Sequence, residues 1–152
     1  MISDYDLSGA WILHWGDSPT STTFPHQQPL QFAKAGDPII DRYDPTTKEA
    51  DSCRRHFISK VTIGGVLVVT QAQVFTGVRY LDTAVGSPKF PCAAVAFYQG
   101  PAQAGKTAYY SSWSGSVGVD RSDHLHPKYN NSITGYFAGI EGDQGKFVMN
   151  RA

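Results

Sequence analysis

Apolar and polar positions alternate with a period of two along most of the chain, and nowhere do apolar residues recur at the spacing of an amphipathic helix. The alternation is longest in CRRHFISKVTIGGVLVVTQAQVF, Cys53 to Phe75, where two runs rich in Val, Ile, Thr and Phe meet at Gly64-Gly65. A glycine pair accepts the positive φ of a two-residue primed turn, so the stretch predicts a β-hairpin. That turn sets Ile63 opposite Val66, Val61 opposite Val68, Ser59 opposite Thr70, Phe57 opposite Ala72 and Arg55 opposite Val74. The other face carries Arg54, His56, Ile58, Lys60 and Thr62 against Leu67, Val69, Gln71, Gln73 and Phe75. The first face is the more apolar and is assigned inward, which takes Arg55 inside with Phe57. A bare inward guanidinium is costly, so the assignment predicts a partly polar interior.

The rest of the chain reads as short strands separated by turn residues. Leu7 to Trp15 is a strand with Trp11, Leu13 and Trp15 on one face. Phe24 to Lys34 is an extended piece whose Pro25 and Pro29 suit an edge or irregular strand. Ile39 to Tyr43 follows the Gly36-Asp37-Pro38 turn and precedes a turn at Asp44 to Lys48. Thr76 to Val85 continues the hairpin as a bent strand, with Gly77 as the expected bulge. Pro91 to Gln99, Lys106 to Ser114 extending through Val117 to Asp120, and a closing hairpin of Ser132 to Ile140 and Gly145 to Arg151 complete the series. Arg121 to Asn131 is assigned to a polar loop. Regular strands with turn signals predict an all-β fold, a single closed antiparallel barrel of about eight strands spanning residues 1–152.

Composition narrows the partners. The 152 residues carry 13 basic and 13 acidic side chains, and the longest basic run is Arg54-Arg55, so nucleic acid and anionic membrane surfaces are not expected partners. No apolar run approaches the ~20 residues of a membrane-spanning helix. The opening MISDYDLSGAW has no signal-peptide pattern, which makes the cytoplasm the expected compartment. Cys53 and Cys92 lack CxxC spacing and are expected to be thiols.

Two resemblances to known families follow from particular residues. Gly36-Asp37, Tyr43-Asp44 and Thr46-Thr47-Lys48, leading into the long hairpin, resemble the allene oxide cyclases, dirigent proteins and small bacterial barrel cyclases. The glycine those families usually carry beside the lysine is absent, and the match covers about a third of the chain. Gly9-Ala10-Trp11 resembles the Gly-x-Trp opening of lipocalins and related calycins, in which an arginine of the last strand packs over the tryptophan. Arg151 stands at that place. A third likeness, of Trp113-Ser114-Gly115 to avidins, lacks their later tryptophan strand. Each resemblance implies a small antiparallel barrel with a ligand pocket.

Candidate chemistry centres on Arg55, which inside a barrel would fix an anionic or carbonyl oxygen. Asp41 and Tyr43 share a face with Ile39 on the preceding strand, making Asp41 the expected partner of Arg55. Either a buried structural ion pair or acid–base chemistry would use such a pair. Tyr80 is the further candidate proton shuttle. Trp11, Trp15, Phe57, Tyr98, Tyr109 and Trp113 are the expected aromatic lining. His124-x-His126 lies in a proline-containing loop with no third ligand fixed by spacing, so no metal is expected. His26 and His56 are assigned to the surface. No nucleophile elbow and no phosphate-cradling loop occurs, so no cofactor is expected. Together these features and the cyclase resemblance predict a cofactor-independent cyclase or isomerase acting on a small hydrophobic, oxygen-bearing molecule. The alternatives are a non-catalytic lipocalin-like binder and a protein–protein module, and a homodimer is compatible with any of them.

Overall fold

The computed structural model describes residues 5–80, 89–101, 110–123 and 127–152, without the side chains of 79, 80, 89–91 and 101. Nine strands succeed one another among them: β1 (Gly9–Trp15), β2 (His26–Lys34), β3 (Ile39–Tyr43), β4 (Ala50–Ile63), β5 (Val66–Tyr80), β6 (Lys89–Pro101), β7 (Ser111–Asp120), β8 (Lys128–Gly139) and β9 (Gln144–Arg151). They form one sheet in the order β2-β1-β9-β8-β7-β6-β5-β4-β3, and a further β2–β4 pairing closes it. All ladders are antiparallel. The fold is therefore all-β, an eight-stranded closed barrel with β3 as one additional strand.

The central hairpin has the register that the Gly-Gly turn predicts, from Ile63↔Val66 through Val61↔Val68, Ser59↔Thr70 and Phe57↔Ala72 to Arg55↔Val74. Gly64 and Gly65 both take positive φ, 56° and 77°. Asp51, Cys53, Phe57 and Ser59 are buried, and His56 and Lys60 are exposed, so the inward face is the expected one. β3 continues β2 along the same edge of β4. Lys34 pairs with Phe57 and Ile39 with Arg54, so β4 advances three residues while the other chain advances five. The surplus is taken up at Ala35 to Pro38, where Gly36 adopts φ 105°.

Inward side chains fill the middle of the barrel. Trp11, Leu13, Leu30, Phe57, Val74, Val95, Phe97, Ile133, Phe147 and Met149 are all fully buried. One end is closed by the chain ahead of β1. Tyr5 crosses to β5, where its N–H donates to Thr76 Oγ1 at 3.1 Å, and Leu7 is buried beneath it. Leu7 is held there by the Trp11 indole N–H, which donates to its carbonyl at 2.7 Å. Arg151, the register partner of Trp11, lies 4.5 Å over the indole. It donates Nη1–H to Ser8 O at 2.9 Å, Nη2–H to Asp6 O at 2.6 Å and Nε–H to Asn131 Oδ1 at 3.1 Å. The expected packing of Arg151 on Trp11 is present.

Three local expectations change. Gly77 is not a bulge in the β5–β6 ladder, because it pairs in register with Cys92. The irregularities fall instead between β3 and β4 and between Val117 and Val119 on β7. β8 begins at Lys128, inside the stretch assigned to a loop: polar residues pair there because Gly118 leaves room for the Asn130 side chain and Asn131 adopts φ 62°. Lastly, β2 is regular rather than irregular: Pro29 sits opposite Ile12 without interrupting the β1–β2 ladder, on a stretch whose other side is an edge as expected, since β4 pairs only with Phe32 to Lys34. His124, His126 and Tyr109 lie outside the described residues, as does the side chain of Tyr80.

Arg151 stabilises the closed end by a stacked cation and a forked set of donors, which lysine cannot reproduce. Arg151→Gln is expected to lower unfolding stability by about 1–3 kcal/mol in equilibrium denaturation. Arg151→Lys should recover less than half of that loss; full recovery would mean that charge alone matters.

Candidate functional site: the open mouth of the barrel

The described residues leave the end opposite the plug uncovered. There β1, β2, the tip of the β4–β5 hairpin, β6, β7 and β8 surround a cavity of about 490 Å³. Its described lining includes Trp15, His26, Gln28, Val66, Val68, Gln99, Ser111, Trp113, Phe137 and Asp143. That volume is in the range of small-molecule sites.

Trp113 organises the apolar wall. Its ring is sandwiched between Phe97 (centroids 5.5 Å, 6° between planes) and Phe137 (4.4 Å, 24°). Trp15 and Phe147 meet it edge-on at 5.8 Å and 5.4 Å. Each such pair is worth about 0.5–1.5 kcal/mol beyond its buried area, so the wall is a rigid stack. Glycine makes the stack fit: a Cβ on Gly145 would fall 2.7 Å from Phe137 Cε1, and one on Gly115 would fall 3.0 Å from Phe147 Cζ. At the rim His26 stacks on Trp15 (5.3 Å, 25°) and places Nε2 2.6 Å from Asp17 Oδ1.

Beneath the mouth runs a row of inward polar residues at one level, Ser59↔Thr70↔Gln99↔Ser111, across β4 to β7. All four are buried. Ser59 Oγ accepts from the Gln31 N–H at 2.9 Å, Thr70 Oγ1 from Gln99 Nε2 at 3.0 Å, and Ser111 Oγ from Trp113 Nε1 at 2.7 Å. Gln28, on β2, is 8% exposed, and its Nε2 is buried with no hydrogen-bond partner. A buried amide left in that state costs about 1–3 kcal/mol.

Of the expected aromatic lining, Trp15 and Trp113 meet in this cavity. Trp11 and Phe57 are instead fully buried in the packed core, below the mouth. Tyr98 points outward and is 70% exposed, because its neighbours Phe97 and Gln99 take the inward positions of β6. It borders a groove of about 430 Å³ on the outer face of the sheet, together with Ser112, Ser114 and Tyr136.

The expected catalytic set is not gathered here. Arg55 does face inward, but its strand position is six residues from Val61, the partner of Val68 at the mouth, or about 20 Å along the strand. Asp41 is not its partner. The β3–β4 register shifts beside Asp41 and turns it outward, where its Oδ1 accepts from Arg54 Nε at 3.0 Å. Tyr43 is likewise exposed. The carboxylate that does share Arg55's inward face is Asp51, buried, with Arg42 Nη2 3.1 Å from its Oδ2. Toward the plugged end the interior also holds Cys53, Thr76, Tyr5 and Tyr129. The rings of Tyr5 and Tyr129 meet edge-on at 4.8 Å, and both hydroxyls are buried, that of Tyr129 without a hydrogen-bond partner. Burial pushes the Tyr129 phenol well above its ordinary pKa, with Cys92, Tyr5 and Cys53 adding to the shift. Burial raises Tyr5 too, against the opposing charge of Arg151.

His26, Gln28, Gln99, Gly100, Ser111, Phe137 and Asp143 are described lining residues that sequence reasoning missed. Gln99 and Ser111 had a signal, since the hairpin register that sets Ser59 against Thr70 begins the polar row they complete. Among the described residues, no group of three His, Cys, Asp or Glu side chains is placed to hold a metal ion, and no helix is long and apolar enough to cross a membrane. Comparison with protein families, with curated proteins and with solved structures gives no match.

The raised phenols make stability fall at alkaline pH. Below the ordinary tyrosine pKa of 10.0 the native and unfolded chains hold the same protons and the stability is complete. Above it the unfolded chain ionises first, and stability is lost progressively as pH climbs toward the native values. The urea midpoint is expected to drop between about pH 9 and about pH 11, and to drop less in Tyr129→Phe. An identical drop in both proteins would detach the effect from this residue.

Proposed function

We propose that the protein binds a small, uncharged, largely apolar molecule in the open mouth of the barrel and holds it without converting it. The carrying observation is the rigid Trp15, Trp113 and Phe137 wall around a cavity of about 490 Å³, set over a buried polar row. Aromatic surface supplies affinity, while a few fixed polar groups orient the ligand. Binding is favoured over the cyclase reading because Arg55, Asp41 and Tyr43 do not converge on this cavity. Its described lining has its ionisable groups in His26 and Asp143.

N-phenylnaphthylamine, a neutral apolar dye that brightens on leaving water, tests this directly. Saturable one-site binding is expected. Val68→Asp, which sets a charge in the lining, should weaken it by about tenfold or more. Tyr98→Ala on the outer face should leave it unchanged. Absence of saturable binding, or indifference to Val68→Asp, would overturn the proposal.

A further inference from the structure

The groove on the outer face of the sheet has a composition of its own. Two adjacent levels of the ladder cross it. One sets Gln71, Tyr98, Ser112, Ala138 and Gln144 side by side on β5 to β9. The next sets Gln73, Ala96, Ser114, Tyr136 and Lys146 on the same strands. Between the two levels Phe97, Trp113 and Phe137 turn inward and stack, so the groove has a rigid backing. Alanine and serine form its floor, and Tyr98 and Tyr136 rise from either side, 70% and 55% exposed. The two tyrosines lie two strands and two residues apart, which separates their Cα atoms by about 12 Å. Lys146 Nζ lies 5.9 Å from the centroid of the Tyr136 ring. It comes from β9, on the side of β8 away from β7, so the ring face it leaves uncovered is turned to the groove.

This composition sorts the possible occupants. The described lining holds no charged side chain, so an ionic ligand would find no counter-charge in it. A protein partner needs a contiguous apolar core, whereas here a serine or a glutamine follows each tyrosine along both levels. Among the described residues the Ser112 and Ser114 hydroxyls have no hydrogen-bond partner and are exposed. Aromatic faces set beside unspent hydroxyls and carboxamides match a sugar, which carries C–H groups on its ring faces and hydroxyls round its edge.

We propose that the groove binds a neutral, β-linked oligosaccharide of glucose-like units. With every hydroxyl equatorial, each unit offers an apolar face on both sides. Tyr98 and Tyr136 pack on two different units of the chain, because their spacing exceeds one sugar ring. Ser112, Ser114, Gln71 and Gln144 exchange hydrogen bonds with the hydroxyls between and beyond them. The groove is independent of the mouth, which lies on the other side of the same wall.

Titration calorimetry with cellohexaose tests this. Saturable binding is expected with a Kd of about 10 μM to 1 mM, and glucose should bind too weakly to measure. Tyr98→Ala and Tyr136→Ala should each weaken cellohexaose by about tenfold or more. Phe75→Ala, which removes an exposed aromatic elsewhere on the outer face, should leave it unchanged. Circular dichroism checks that each variant is folded, and Tyr98→Thr, which keeps a strand-forming residue, replaces the alanine variant if that one is not. No heat with cellohexaose, equal affinity for glucose, or indifference to both tyrosine substitutions would overturn the proposal. So would a concentration-dependent dimer in sedimentation that Tyr98→Ala abolishes, since the groove would then belong to a second copy of the chain. Each of these results would leave dye binding at the mouth untouched.

Discussion

Arg151 stacked on Trp11 is the contact on which the polarity of this barrel depends. An antiparallel barrel has two equivalent openings until something covers one of them. Here the last strand places its guanidinium beside the first, where it accounts for the carbonyls of Asp6 and Ser8 and lies over the indole. The segment it secures carries Leu7 and Tyr5 across the end of the barrel to Thr76 on β5. First strand, last strand and far wall are thereby fixed together, and the unplugged end becomes the mouth. The guanidinium is suited to this because one rigid plane both stacks and forks its donors, so the entropy lost in holding it serves three partners at once.

With the end chosen, the interior divides by level. Large buried side chains occupy the middle, so the barrel is a cup over a filled floor rather than a hollow tube. The polar row from Ser59 to Ser111 marks the boundary between the two, and each of three hydroxyls along it accepts an N–H from the protein. Such a row would be a liability in a dry core, where each unmet group costs free energy; beneath an open mouth it supplies directional contacts to whatever enters. The basal polar groups, Arg55, Asp51, Tyr5 and Tyr129, belong to a different environment. They lie toward the plugged end, and β3 reaches beyond the ring to bring Arg42 to Asp51 there.

Period-two patterning and a glycine pair determined much of this architecture in advance. The hairpin register, the inward face of β4, the inward Arg55 and the outward His56 all follow from a turn whose geometry admits one pairing, since a slip of one residue would exchange both faces. Arg151 over Trp11 was anticipated through what the resemblance of the Gly9-Ala10-Trp11 opening implies, not through any local pattern. Parity was not legible where both faces are apolar: in AAVAFYQ nothing distinguishes Phe97 from Tyr98, and only pairing with β5 and β7 turns one inward and the other out. Asp41 was misplaced for a related reason, because the irregular β3–β4 register breaks the alternation on which its assignment depended.

The amino-acid sequence by itself therefore determined the all-β class, the central register and the presence of charge inside. These depend on backbone geometry and on neighbours a few residues away. The location of the site was decided only by tertiary structure. Which end is plugged, which aromatics stack rather than fill the core, and that Gln28, Gln99 and Ser111 face one cavity are consequences of closure. Closure depends on β2 meeting β4 across three residue pairs, a long-range contact whose register no local pattern encodes.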